Sequence, residues 1–319
     1  VQHTTMPGTN LSLPRICVGT IFRSGLDADG SRRVLERAAE RGCNFIDTAN
    51  IYNRGRSEEL VGRFLKGRRD QFVLTSKVGM QSDNRAPLAP ATIRTELENS
   101  LRRLQTDYLD FYLCHQPDPD TPIATTLEAL NDCVQEGKVR YAGVSNFAAW
   151  QWGDACAAAS RAHGWVPACN QIGYSLLDRR AEDDIIPFCR QHGLALTAYC
   201  TTFIGLLSGA YRHGQPPCPD RSWGDDSPYK YDACLNPAAD RVVAELCRMA
   251  TRHEVEPTQI AMAWCLRIPE LVSIITGADT PERLDANLRA LDVQLTDTEI
   301  DTLDRLAHGM RFHPRVGPC

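Results

Sequence analysis

From residue 15 onward, short runs of β-branched and other apolar residues alternate with longer amphipathic stretches. The runs at 16–19, 44–47, 72–77, 109–114, 139–144, 168–172, 195–199 and 271–275 read as strands. The stretches at 28–41, 57–65, 91–104, 125–136, 148–163, 181–192, 238–253 and 281–291 carry an apolar stripe at the helical period. Local punctuation agrees. Ser57 is placed to cap its helix ahead of Glu58 and Glu59, Pro281 sits in a first turn, and Gly42, Gly137 and Gly193 fall just past helix ends.

Eight strands, each followed by a helix, imply a mostly parallel sheet with right-handed crossovers. In about 250 core residues that pattern predicts the α/β class and a closed (β/α)8 TIM barrel rather than an open doubly wound sheet. The open sheet would be favoured by a G-x-G-x-x-G turn after the first strand, and the chain there reads CVGTIFRSGLDADG. The whole chain, 1–319, is expected to form a single barrel domain, with an N-terminal hairpin over 1–14 around Pro7-Gly8 and an extra C-terminal helix over 297–308. The connection at 201–237 is rich in Gly, Pro and aromatic residues, too long for a passive link, and is a candidate lid.

Composition narrows the partners. With 43% hydrophobic and 24% charged residues the chain has material for a large core, and a net charge of −5 does not favour nucleic acid or an anionic membrane. No stretch of about 18 apolar residues occurs, and the start VQHTTMPGTNLSLP lacks a basic region followed by an apolar one. The 13 cysteines are odd in number, scattered, and never spaced as C-x-x-C. They read as reduced, mostly core thiols, so neither a disulfide framework nor a metal site is expected, and a cytoplasmic location is.

In a parallel barrel the active site is built at the carboxyl ends of the strands. Those ends read Gly19-Thr20, Asp47 with Tyr52 five residues on, Lys77, His115, Ser145-Asn146, Gln171, Tyr199 and Thr276-Gly277. Singly, each polar residue has a bland reading as a turn former, strand terminus or satisfied core group. Together they fit one chemistry. A phenol is a poor acid at neutral pH unless a cation such as Lys77 stabilises its phenolate, Asp47 would hold that ammonium, and His115 can hydrogen-bond a carbonyl oxygen. Such a mouth can polarise a C=O bond and protonate it.

The segments NFIDTANIYNRGRSEELVGRFL, FVLTSKVG, IRTELENSLRRLQTDYLDFYLCHQPD, EGKVRYAGVSNF, ACNQIGYSLLDR and GLLSGAY span most of residues 13–291. They resemble the aldo-keto reductase family, bacterial in type and related to its potassium-channel beta-subunit-like branch. The resemblance implies a (β/α)8 barrel that holds a nicotinamide dinucleotide, with Asp47, Tyr52, Lys77 and His115 matching the catalytic tetrad and Tyr52 as general acid. It also places Ser145, Asn146 and Gln171 on the carboxamide, Tyr199 on the nicotinamide ring, and Gly19, Thr20 and Asp47 beside it.

Two departures bear on the cofactor. Relatives often carry Ser-Pro-Leu after strand seven, where this chain has Cys200, Thr201 and Thr202, whose backbone and hydroxyl donors can still meet a pyrophosphate. After strand eight, Thr276, Gly277 and Asp279 occupy the stretch where the family often places Lys or Arg, while Arg283 and Asn287 match. Asp279 would repel a 2′-phosphate and accept from a free ribose hydroxyl, or simply cap the following helix. NADP(H) is expected ahead of NAD(H), with Arg283 available to the phosphate.

The substrate expectation is a small carbonyl compound or its alcohol, a sugar or other polar carbonyl among them. Phe22, Tyr52, His115, Gln116 and Trp223 are candidates to line its pocket, with Tyr229 and Tyr231 beside them. A glycosidase would need two acids at facing strand ends, where Cys114-His115 and Tyr199-Cys200 stand instead. A regulatory binding protein on the same scaffold and a cofactor-retaining epimerase or dehydratase are the alternatives, separable by turnover and by net dinucleotide consumption. The oligomeric state is not legible in the sequence.

Overall fold

The computed structural model describes residues 1–22, 27–80, 87–216, 223, 230–313 and 317–318. Strands β1 (His3–Thr5) and β2 (Ser12–Pro14) form an antiparallel hairpin that turns through Gly8, whose φ of 73° glycine adopts freely. Eight strands then close into a parallel barrel: β3 (Ile16–Gly19), β4 (Phe45–Asp47), β5 (Val73–Val78), β6 (Leu109–Cys114), β7 (Val139–Ser145), β8 (Cys169–Gly173), β9 (Ala195–Tyr199) and β10 (Leu271–Gly277). β10 pairs with β3 to complete the ring.

Period-two alternation along the strands separates two cores. Phe45, Val73, Phe111, Leu113, Cys169 and Val272 point into the barrel, where Met6 and Leu13 of the hairpin join them. Ile46, Leu74, Tyr112, Cys114 and Val144 point outward under the helices. The interior is thus a packed stack whose next inward positions toward the carboxyl ends are polar: Asp47, Lys77 and Gln171.

Among the described residues the helices are α1 (Ala28–Glu40), α2 (Arg56–Leu65), α3 (Pro90–Leu104), α4 (Ile123–Gln135), α5 (Ala149–His163), α6 (Ile185–His192), α7 (Tyr231–Cys234), α8 (Pro237–His253), α9 (Pro257–Leu266), α10 (Pro281–Leu288) and α11 (Asp297–Leu306). Helix α2 lies so close to the end of α3 that a Cβ at Gly62 would stand 2.5 Å from the Arg103 carbonyl oxygen.

Three local expectations need correction. Ser57 does not cap α2: its N-cap is Gly55, and the buried Ser57 hydroxyl donates to the Thr20 carbonyl, tying α2 to the loop after β3. Asp279 does not cap α10, because Thr280 does, its hydroxyl accepting from the Arg283 N–H. Helix α9 was not expected; it is buried from 258 to 265, on every face, and mostly apolar, so it shows no helical stripe. No helix among the described residues is long and apolar enough to cross a membrane.

Candidate active site

Asp47 ends β4 and Lys77 lies near the end of β5, both at inward-facing positions. The fully buried Lys77 ammonium donates to Asp47 Oδ1 at 2.6 Å, to the Thr48 carbonyl at 2.8 Å and to the Tyr52 hydroxyl oxygen at 3.2 Å. An ammonium has three N–H bonds, so all are used. Tyr52 is held there by the turn Tyr52–Gly55, in which Asn53 and Arg54 take left-handed φ angles of 48° and 55°. Asn53 donates its amide protons to the carbonyls of Ile21 and Phe22, which fastens the loop after β3 to this turn. Sequence reasoning did not single out Asn53, although asparagine tolerates the left-handed region better than most residues.

Burial pushes the Tyr52 phenol above its ordinary value, the Lys77 ammonium pulls it down, and Asp47 pushes it up again. The net direction is upward, which corrects the expectation that Lys77 would make this phenol acidic outright; desolvation outweighs the cation. For Lys77 itself burial disfavours the charge, but Asp47 and Tyr52 outweigh it and hold the amine's pKa above its ordinary value. The pair at neutral pH is therefore an ammonium and a neutral phenol that still owns its proton.

His115 follows β6, and its ring meets the Tyr52 ring edge-on at 5.8 Å between centroids. Burial and the Lys77 charge push its pKa well below the ordinary value, so the imidazole is neutral. Its Nδ1 is buried without a hydrogen-bond partner among the described residues, a polar atom still to be satisfied.

A second group faces the first. Ser145 and Gln171 are register partners on β7 and β8. Ser145 Oγ donates to the Gln171 carbonyl at 2.9 Å, and Gln171 Nε2 donates to Asp47 Oδ2 at 2.9 Å. Asn146, at φ 61°, donates to the His115 carbonyl at 2.9 Å and accepts from the Tyr199 hydroxyl at 2.6 Å. Helix α5 starts at Ala149, so Ser145 and Asn146 are not a cap for it. The Gln171 link to Asp47 has no signature in the sequence, because it joins β8 to β4 across the barrel.

After β9 the backbone passes through left-handed φ angles at Cys200 (58°), Phe203 (49°), Ile204 (56°) and Gly205 (84°). Strain of this kind at non-glycine residues clusters at ligand sites, and such turns direct N–H groups into anion-binding concavities. Thr201 is buried and Thr202 half-buried in this segment. At the end of β10, Asn287 donates to Thr276 Oγ1 at 2.8 Å and to the Gly277 carbonyl at 3.1 Å. Gly277 and Asp279 are exposed, and a Cβ at Gly277 would meet open space. Arg283 is ion-paired with Glu256 at 2.5 Å, a partner the sequence did not disclose. Gly19 is held to glycine by Ile275, whose Cγ2 would lie 2.9 Å from a Cβ there, and Thr20 donates to the Asp47 carbonyl.

Among the substrate candidates, Phe22 is buried beside the Asn53 turn and Gln116 is half-buried next to His115. Trp223 is buried, stacked on Phe203 at 6.0 Å, and donates its indole N–H to the Ile204 carbonyl. Tyr231 lies in α7 and donates to the Arg212 carbonyl. Tyr229 and much of the candidate lid, 217–222 and 224–229, lie outside the described residues. Among the described residues no group of three or more His, Cys, Asp or Glu is placed to hold a metal ion.

Fold and site together define a (β/α)8 barrel with an ammonium–phenol pair and a neutral imidazole at its carboxyl mouth. The model of the aldo/keto reductase family matches residues 15–308, and the chain belongs to that family. It is 31% identical to a probable voltage-gated potassium channel subunit beta of Oryza sativa subsp. japonica, over 95% of this chain and 96% of that protein. It is 34% identical to an uncharacterized oxidoreductase, YrpG, of Bacillus subtilis strain 168, over 94% of each. The thermostable aldo-keto reductase Tm1743, solved with the inhibitor epalrestat, superposes with a TM-score of 0.78 at 29% identity, covering 96% of this chain and all of that one.

Proposed function

We propose that this protein is an NAD(P)H-dependent reductase of aldehydes or ketones, with Tyr52 as general acid. One observation carries the reading: the Tyr52 oxygen accepts from the Lys77 ammonium, so the hydroxyl's own proton is free to be given to a substrate oxygen. As that proton leaves, the ammonium meets the developing phenolate, and Asp47 keeps the ammonium in place. The neutral His115 ring, in contact with Tyr52, supplies a polar group for the same carbonyl oxygen.

The residues present suit a nicotinamide dinucleotide. Ser145, Asn146 and Gln171 offer amide and hydroxyl groups for a carboxamide, the half-buried Tyr199 offers a ring face, and the left-handed loop with Thr201 and Thr202 offers donors for a diphosphate. When bound, the dinucleotide supplies the hydride that carbonyl reduction requires. The adenosine end would meet Thr276, Gly277, Asp279, Arg283 and Asn287, where Arg283 is the available cation for a 2′-phosphate and is shared with Glu256. Sugar aldehydes and other polar carbonyl compounds are the substrate class to try first.

The test is titration with NADPH and NADH followed by protein fluorescence, then a panel of aldehydes and ketones with the dinucleotide that binds. Binding with consumption of reduced dinucleotide is the expected result; binding with no turnover on any carbonyl favours a second reading. That reading, a regulatory subunit that keeps the scaffold and the cofactor, is supported by the match to the rice beta subunit over nearly its whole length.

A further inference from the structure

Asp47 has two carboxylate oxygens and two strong partners. Lys77 takes Oδ1 at 2.6 Å, and the side-chain amide of Gln171, itself 4% exposed, takes Oδ2 at 2.9 Å from across the barrel. With both oxygens held, the carboxylate plane cannot turn, and the direction in which Asp47 draws the ammonium is fixed. That direction decides whether the third N–H of Lys77 still reaches Tyr52, at 3.2 Å the longest of its three bonds.

We infer that Gln171 is a positioning residue for proton transfer: by holding Asp47 Oδ2 it sets the Lys77 ammonium against the Tyr52 hydroxyl. This rests on the reading of Tyr52 as the general acid, and it is distinct from any contact of Gln171 with the dinucleotide. A hydrogen bond to a carboxylate also withdraws part of its negative charge, so Gln171 tempers the field of Asp47 at Tyr52.

The groups around the cluster leave it electrically simple. Cys17 from β3 and Cys169 from β8 are thiols that burial pushes upward, Cys169 to about 12. Tyr199 from β9 is likewise raised by burial, and His115, just after β6, is neutral, while Cys200 adds a smaller upward push on both phenols. Asp47, Lys77 and Tyr52 are thus the groups whose charge a change at Gln171 alters most directly.

The experiment compares the parent protein with Gln171→Leu and Gln171→Glu in three readouts: dinucleotide affinity, kcat against pH at saturating dinucleotide for the carbonyl compound that the parent reduces fastest, and crystal structures at one pH. For Gln171→Leu the inference predicts a kcat lower by about tenfold to a hundredfold, as expected for misplacement of a reacting group, with the alkaline limb moved to higher pH. For Gln171→Glu it predicts recovery at low pH, where a protonated carboxyl can donate to Asp47, and loss as pH rises and two carboxylates come to face each other. In crystals of Gln171→Leu the Asp47 carboxylate turns and the Lys77–Tyr52 bond is lost. Unchanged kcat and pH profile with weaker dinucleotide binding would overturn the inference and leave Gln171 as a cofactor contact. Absence of any carbonyl reduction by the parent would instead count against the proposed reaction, and the crystals then decide alone: an unmoved Asp47–Lys77–Tyr52 chain overturns the inference, a broken one upholds it.

Discussion

The Lys77 ammonium donates to the Tyr52 hydroxyl oxygen from a position in which its other two protons are already fixed by Asp47 and the Thr48 carbonyl. The bond runs from amine to phenol and not the reverse. It therefore stabilises the phenolate that forms on proton transfer without taking the proton that must be given.

Removing the cation should be costly to folding as well as to chemistry. Lys77→Met leaves Asp47 buried with no counter-charge, which by analogy with broken buried ion pairs costs about 3–5 kcal/mol. Urea denaturation should show that loss, and the double variant with Asp47→Asn should recover much of it. A Lys77→Met protein as stable as the parent would mean that the pair is not buried as a charged unit.

The pH dependence of stability follows from His115. Its folded pKa lies well below the value of 6.5 that it regains on unfolding. Below that value the unfolded chain binds the proton and the folded one does not, so the contribution is complete above pH 6.5 and declines as the pH falls. The denaturation midpoint of the parent should fall more steeply from pH 7 to about pH 5 than that of His115→Gln, since the variant has no group there to protonate. Parallel curves would place a protonated imidazole in the folded protein.

The adenosine end makes a separate prediction. Arg283 is held by Glu256, and Asp279 stands exposed two residues beyond Gly277, where β10 and its register with β3 end. Glu256→Gln should free the guanidinium and Asp279→Arg should add a second cation. Each is expected to raise NADPH affinity relative to NADH by about threefold to tenfold, the scale of one charge-assisted contact partly screened by solvent. Fluorescence titration with both dinucleotides measures the ratio, and an unaltered ratio in both variants would remove this region from cofactor choice.

The barrel was legible because its strands and helices alternate with clear periods, and because inward positions near the strand ends switch from Phe45, Val73 and Cys169 to Asp47, Lys77 and Gln171. What the sequence hid was non-local or aperiodic. Helix α9 has no polar face to mark its period. The Gln171–Asp47 bond spans 124 residues, and Arg283 finds Glu256 only once α9 and α10 pack side by side. The direction of the Tyr52 shift depends on burial, which residue types at strand ends do not reveal.

The central claim, that the Tyr52 hydroxyl delivers the proton, is tested most directly by steady-state consumption of reduced dinucleotide in the presence of an aldehyde, comparing the parent with Tyr52→Phe. The account predicts a loss in kcat of about 10²–10⁴-fold, the usual worth of a positioned acid, with dinucleotide affinity nearly unchanged. Turnover by Tyr52→Phe equal to that of the parent would contradict it.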